Sequence, residues 1–579
     1  MSVQNVLASF TLMLLCGVGT FAQTAAKPSA TPLTSTPAPA NTDETTVGAI
    51  SGLVVNESGQ PFAGVQVAVR AMNSTVPPRT VITDSEGNFR LNGLQSALYF
   101  VSATTPAYVT EPRDPNLPAI HYRLGDSVRL QLIRGGVITG TVTNAAGEPM
   151  VAVAVRAWMV RDAQGRPAKT PYVFFQEQTT DDRGIYRVFG LMPGTYVVSA
   201  GGAGFSQRFQ MSPYAFDVPT YAPSSTRDGA AEVTVRGGEE SSVDIRYRAE
   251  QGHSISGAVK TTAGTGASIT LSSTSSGFTS LGSTSQNFGA KGFEFYGLAD
   301  GEYVLVAREI IPGSAPLPSA LLMSDPRRIT VKGADVTGIE LVPKPLGALT
   351  GHVVLETIKP AECEGKRRPL FSEMMVTTTR PEKDMETDVL PFYPLSNSAS
   401  VDAKGSFALR NLIPARYMPQ VEFYARYWYL NSMTTTGTPK IDAAANWTTL
   451  KTGDRADITI SLAEGAASVR GKVSAANGAA LPSDLGVYLV PAEREKATDV
   501  LRYFVTSVAG DGTFSFNNLP PGRYFSLVQT LDAQTGTLAK LRLPESLEAR
   551  AKVRRAAEAQ KTNLELKPCQ NLTDYALKQ

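Results

Sequence analysis

The sequence predicts an all-β protein of five tandem two-sheet sandwiches of about seven strands each, with one short helix near the C-terminus. Three observations predict it. The 579 residues exceed what one core organises, at about 100–200 residues per domain. One pattern of turn and strand residues recurs five times. Between the turns, β-branched residues alternate with polar ones, the mark of strands with one buried face. Composition agrees. The 50 Gly and 38 Pro exceed the usual share of about 12%, and 18% charged residues fall below the usual 25%. A net charge of +2 provides no broad basic field, so nucleic acid is not an expected partner.

Residues 1–22 read as a secretory signal, with an apolar run from Phe10 to Val18 and cleavage expected after Ala22. The run is too short to span a bilayer, and no later stretch reaches the roughly 18 apolar residues of a membrane helix. Leu15 stands before Cys16 where a lipidation signal needs a small residue. Residues 23–46 are dominated by Ala, Thr, Pro and Ser and cannot bury enough apolar surface to order themselves, so they read as a tether. The expected location is outside the cytoplasm: periplasm, outer surface or medium.

Each copy opens on a strand with a central glycine. These are Ile50-Ser51-Gly52-Leu53-Val54, Ile138-Thr139-Gly140-Thr141-Val142, Ile255-Ser256-Gly257-Ala258-Val259, Leu349-Thr350-Gly351-His352-Val353 and Val469-Arg470-Gly471-Lys472-Val473. A Gly/Pro turn and an alternating strand follow, as in Val65, Val67 and Val69. Next comes an Asp-x-x-Gly-x-aromatic hairpin: Asp84, Gly87, Phe89; Asp181, Gly184, Tyr186; Asp402, Gly405, Phe407. The Asp carboxylate bonds the backbone two residues on, and Gly takes the positive φ of the turn. In the fifth copy Gly512 and Phe514 recur with Ala509 in the Asp place, and in the third Lys291 replaces the Gly. Seven residues after each Gly place stands Leu, and twelve after it stands Tyr: Tyr99, Tyr196, Tyr303, Tyr417 and Tyr524. The expected domains are 47–134, 135–250, 251–345, 346–464 and 465–579. The last includes a helix over 545–560, preceded by Pro544, with Leu547 and Val553 as its apolar stripe and Glu548 and Lys552 as an i,i+4 pair.

This pattern, Gly-x-Val, Gly-x-Pro, Thr-Asp-x-x-Gly-x-Phe, Leu-x-x-Gly-x-Tyr, resembles the carboxypeptidase regulatory-like domain. The resemblance runs from Val47 to the end. It is closest in copies one, two and five and faintest in three. It implies the transthyretin-like sandwich, similar to starch-binding-like and collagen-adhesin modules, in the layout of large secreted bacterial proteins. The zinc peptidase that accompanies this module in carboxypeptidases has no counterpart here.

Chemistry is sparse. His121, His253 and His352 lie in three different copies and lack zinc-ligand spacing. No nucleophile elbow or phosphate loop occurs. No enzyme and no cofactor are expected. Asp84, Glu86, Asp181 and Asp182 offer oxygens to calcium, but turn formation explains them better. Lys260 and Lys472 stand near opening strands, as isopeptide lysines do in some collagen-adhesin modules, without counterparts in the other copies. Cys363 and Cys569 are the cysteines left after processing, and either a bridge or two free thiols would satisfy the sequence. Tyr427, Trp428, Tyr429 and Trp447 are candidate ligand-binding aromatics, with core and inter-domain packing as the competing role.

The expected function is a non-enzymatic scaffold, spacer or adhesive protein of the envelope, elongated because its modules are tandem. Carbohydrate binding is the alternative. An accessory subunit of an extracellular hydrolase and the front part of an outer-membrane uptake system are lesser ones. The expected partner is a polysaccharide or another envelope protein.

Overall fold

The computed structural model describes residues 47–579, except 73, 75, 111–119, 169–174, 203–212, 263–264, 274–278, 287–291, 311–320, 358–360, 382–397, 437–445, 476–480, 483–484 and 531–545. The expected leader 1–22, the tether 23–46 and Lys291 lie outside the described residues. Elsewhere the chain is built of strands, with one α-helix near the C-terminus.

Five pairs of sheets follow one another. Their opening strands are Val47–Val55, Gly136–Thr143, His253–Val259, Gly347–Glu356 and Ala467–Ser474. Each pairs antiparallel with the strand that follows the Asp-x-x-Gly turn, as Val47–Val55 does with Asn88–Gln95. Each pairs in parallel, on its other side, with a strand at the end of its own sandwich, as with Ser127–Arg134; in sandwich 3 only the short Pro343–Pro345 follows that strand. A parallel neighbour needs a long crossover. Here the crossover is the rest of the domain, so every sandwich closes on its own beginning. In the first sandwich the facing sheet runs Arg79–Ile82, Gln66–Ala71, Tyr99–Thr104. Ile50, Val54, Val67, Val69, Val101 and Leu132 fill the space between the sheets.

The recurring glycine stands where the closing strand presses against the opening one. A Cβ on Gly52, Gly140, Gly257, Gly351 or Gly471 would lie 2.0, 1.9, 2.0, 1.8 or 2.2 Å from the carbonyl oxygen of Val128, Val243, Ile339, Ile458 or Tyr575. No other residue fits. Across the antiparallel pair the same glycines face Phe89, Tyr186, Phe293, Phe407 and Phe514. The aromatic ring covers the backbone that the missing side chain leaves bare.

The turn works as its residue types require. The Asp84 carboxylate accepts from the N–H groups of Glu86 and Asn88 at 3.1 and 2.7 Å, and Asp181 and Asp402 repeat this geometry. Gly87 has φ +72° and Gly405 φ +83°. In the fifth copy the acceptor is Asp511, two residues later, which takes the Thr513 N–H at 2.9 Å. Hydrogen bonds and the Lys472 charge hold its carboxyl below the usual range. The recurring tyrosine is a corner post: Tyr99, Tyr196, Tyr303, Tyr417 and Tyr524 each donate Oη–H to the carbonyl four residues back, at 2.6–2.9 Å. Burial pushes the hydroxyls of Tyr196, Tyr303 and Tyr524 far up.

The helix spans Leu547–Ala559, capped by Ser546, whose Oγ accepts from the Ala549 N–H at 3.0 Å. Its buried face is not the expected Leu547 and Val553 stripe, for Leu547 is 54% exposed. The face is Arg550, Val553, Arg554 and Ala557. Ala557 packs with Val490, Tyr503 and Leu527 on the outside of the sheet, and Val553 lies against them. Arg554 donates to the carbonyls of Pro491 and Ala492 at 3.1 and 2.9 Å while its guanidinium lies over Phe525. Two arginines at core-facing positions hide the stripe from a hydropathy reading: Arg550 is 1% exposed, and Arg554 lays its stem on the sheet while its head bonds.

Replacing Gly351 by Ala is expected to cost sandwich 4 about 2–3 kcal/mol, as overpacking does, against about 1 kcal/mol for Tyr417→Phe. Amide exchange along Gly347–Glu356 measures both, and equal effects would contradict the steric account.

Candidate functional site

The aromatic candidates are absorbed by packing. Trp428 is fully buried in the sandwich 4 core. Tyr429 packs with Ala463 and Ala466, under the Arg502 guanidinium of sandwich 5. Trp447 is 6% exposed, with Arg416 5.0 Å from its ring centre. Half-buried Tyr427 carries Lys366 at 4.9 Å. None of the four presents a clear stacking face. The cluster of aromatic residues around this strand instead borders the joint to sandwich 5, where Asn518 Nδ2 donates to the carbonyls of Ala425 and Trp428, both at 2.7 Å.

The histidines stay apart. His121 is buried, its Nδ1 3.4 Å from Glu422 of sandwich 4. His253 lies 3.5 Å from Asp300 and 4.0 Å from Asp335. His352 Nδ1 lies 3.2 Å from Ser406 Oγ. Asp84 and Asp181 are committed to turn N–H groups. Among the described residues no three His, Cys, Asp or Glu side chains gather as metal ligands would. Lys260 is ion-paired with Glu340 at 2.7 Å. No described helix is long and apolar enough to cross a membrane.

Joints between sandwiches carry what the copies do not share. Arg134 ends one sandwich and Gly136 begins the next; Pro345 and Gly347 do the same between sandwiches 3 and 4. Val304, Val306 and Met323 of sandwich 3 belong to the core of sandwich 4. The run Tyr303-Val304-Leu305-Val306-Ala307 is apolar on both faces for this reason, and that uninterrupted run is the sequence signal of the joint.

The joint between sandwiches 2 and 3 is open. It leaves a cleft of about 550 Å³, within the usual size of small-molecule sites. Buried Arg156 forms its floor, bonded to Glu177 at 2.6 Å and the Gly201 carbonyl at 2.7 Å. Arg227 lies 5.6 Å from the Tyr221 ring centre. Burial raises the Tyr221 hydroxyl, opposed by Arg227 and Arg156. His253, Asp300 and Tyr296 close the sandwich 3 side. Cationic and anionic groups line it together, so its field is mixed. Its lining comes from strand and loop residues of two copies, the recurring Leu298 and Tyr303 among them; the one further hint is Arg156, an arginine at an inward place of the strand Ala154–Asp162.

The expected elongated string is corrected by a contact between sandwiches 1 and 4. Arg123 faces Glu373 at 3.9 Å, stacks over Tyr424 at 4.8 Å and donates to its carbonyl at 3.4 Å. Ser96 and Ser372 hydroxyls meet at 2.9 Å. Between sandwiches 4 and 5, Cys363 and Cys569 form a disulfide with Cα atoms 5.4 Å apart.

Residues 49–130 match the carboxypeptidase regulatory-like domain. The matched stretch is the first sandwich. The other four repeat its seam and corner post, and sandwiches 2 and 4 its turn. Solved structures with similarity include the TIE protein of Bacillus anthracis, at 16% identity over 52% of this chain and 50% of that one, with a TM-score of 0.13. This chain thus spans about half the length of that protein. GBS52, the minor pilin of Streptococcus agalactiae, has 14% identity over 34% of this chain and 95% of its own, TM-score 0.19. BcpA, the major pilin subunit of Bacillus cereus, has 11% identity over 51% and 99%, TM-score 0.14. No curated protein matches the chain.

Trp428→Ala is expected to destabilise sandwich 4 by about 3–5 kcal/mol, the usual cost of emptying a buried aromatic site. Limited proteolysis should then cut sandwich 4 first; unchanged resistance would remove Trp428 from the core.

Proposed function

We propose that the chain is an exported, non-catalytic protein of the cell envelope whose linked sandwiches hold binding surfaces at set positions for another envelope component. The observation that carries this reading is the fate of the chemically able side chains. The turn aspartates, the tyrosine posts and the clustered aromatics are spent on turns, cores and joints. Residues outside the shared pattern, such as Arg123, Val306 and Arg502, make contacts between copies. A family resemblance to a regulatory module beside other proteins' catalytic domains fits a supporting role, though function lives in sites and not in folds. Cell fractionation with N-terminal sequencing tests it. A mature chain beginning at Gln23 in the envelope fraction supports the reading, and a full-length cytosolic pool overturns it.

Carbohydrate binding is the second reading, and the cleft between sandwiches 2 and 3 favours it. The charges there are of both signs, which disfavours a strongly ionic ligand. Tyr221 and Tyr296 stand beside hydrogen-bonding groups, as a neutral polyol requires. Glycan-array binding by the intact chain should fall at least tenfold in Tyr221→Ala, a loss of about 1.4 kcal/mol. Binding that survives this change would place the sugar site elsewhere.

A further inference from the structure

The segment 361–373 of sandwich 4 is held from three sides. At its start, Cys363 is bonded to Cys569 of sandwich 5. Cys569 in turn donates its N–H to the carbonyl of Gly465, in the connection between sandwiches 4 and 5, at 3.0 Å. In its middle, Lys366 lies over Tyr427 and Arg368 over Trp428, at 4.9 and 5.9 Å. Arg367 grips both oxygens of Glu373 at 2.8 and 2.9 Å. At its end, Ser372 and Glu373 receive Ser96 and Arg123 of sandwich 1.

Between these anchors the segment has two short 3-10 turns, Ala361–Cys363 and Phe371–Glu373, and no strand. A stretch without a ladder keeps its shape through its end anchors, because each residue left unfixed regains conformational freedom. Glu373 is only 4% exposed, so its position is set by the segment and not by solvent. Part of the dock for sandwich 1, Ser372 and Glu373, therefore sits on a loop whose other end is a covalent joint to sandwich 5; Glu422 and Tyr424 supply the rest.

We propose that the Cys363–Cys569 bridge presets this loop as the receiver of sandwich 1, so that closing the bridge completes the dock and opening it releases sandwich 1 from sandwich 4. In the closing step the two thiols lose two protons and two electrons to the disulfide of an exchange catalyst, which leaves as a dithiol. Opening is the reverse, with a dithiol as the reductant. Both cysteines are buried, at 3% and 8% exposure, so a closed bridge is shielded from small thiols. The bridge acts as a step set once, on exposure to an oxidising compartment. The inference rests on the export reading only for the source of the oxidant; the coupling itself is measured on purified protein wherever the chain resides.

Amide exchange on the full chain tests it, comparing the oxidised protein with the Cys363→Ser/Cys569→Ser double variant. Exchange over residues 121–126 and 422–424 should rise about tenfold or more in the variant, while the opening strands of sandwiches 2 and 3 stay protected. Arg123→Ala with the bridge intact should give the same signature at 121–126. Unchanged exchange at 121–126 in the double variant would overturn the coupling. If the double variant loses protection along Trp428–Thr436, the oxidised chain is compared with the same chain reduced by dithiothreitol in denaturant and refolded, with thiol labelling confirming that Cys363 and Cys569 are both free, and read at the same residues with the same two outcomes. Thiol labelling of Cys363 in denatured, unreduced protein would also overturn it.

Discussion

A closing-strand carbonyl presses against each opening strand at the one place where no side chain stands. Everything else in a sandwich follows from that seam. Because the two strands run parallel, the chain must pass through both sheets before it returns, and the return is what encloses the core. With the carbonyl 1.8–2.2 Å from where a Cβ would lie, glycine is required five times over. The aromatic across the antiparallel pair then covers the bare backbone, and the Asp-x-x-Gly turn delivers that aromatic in register. The tyrosine posts brace the next corner from inside. Seam, turn and post form one mechanical unit, which is why they recur together even where the intervening loops differ.

Linking such units with connections of one to six residues restrains them more than a flexible string. Sandwiches 3 and 4 share a core, and sandwiches 4 and 5 share backbone bonds, a stacked arginine and a disulfide. Sandwich 1 meets sandwich 4 across nearly three hundred residues of chain. The joints are of two kinds. Apolar ones bury strand faces and hold firmly. The contact between sandwiches 1 and 4 is made of an arginine, two carboxylates, serines and a tyrosine, groups that water also satisfies, so its net stabilisation is smaller. A polar joint of this kind suits a contact that is made after the rest has folded.

The candidate site was legible only in part. Cys363 and Cys569 were the obvious pair, yet spacing could not distinguish a bridge from two thiols, because 206 residues separate them. Trp428 and its neighbours were read with two roles open, since strand alternation sets which residues share a face but not what covers that face. The helix hid its packing face behind Arg550 and Arg554. The cleft between sandwiches 2 and 3 was invisible, for its walls come from strands and loops of two different copies.

The sequence by itself determined the sandwich: the count of five, the strand alternation, the turn chemistry and the single helix. These are local, or repeat at constant spacing, so each copy carries its own instructions. Only the tertiary structure decided why the central glycine is glycine, where the aromatics go, which copies touch and what the cysteines join. Each of those depends on atoms brought together from distant parts of the chain, where a carbonyl, a ring or a carboxylate leaves no mark on the residues around its partner.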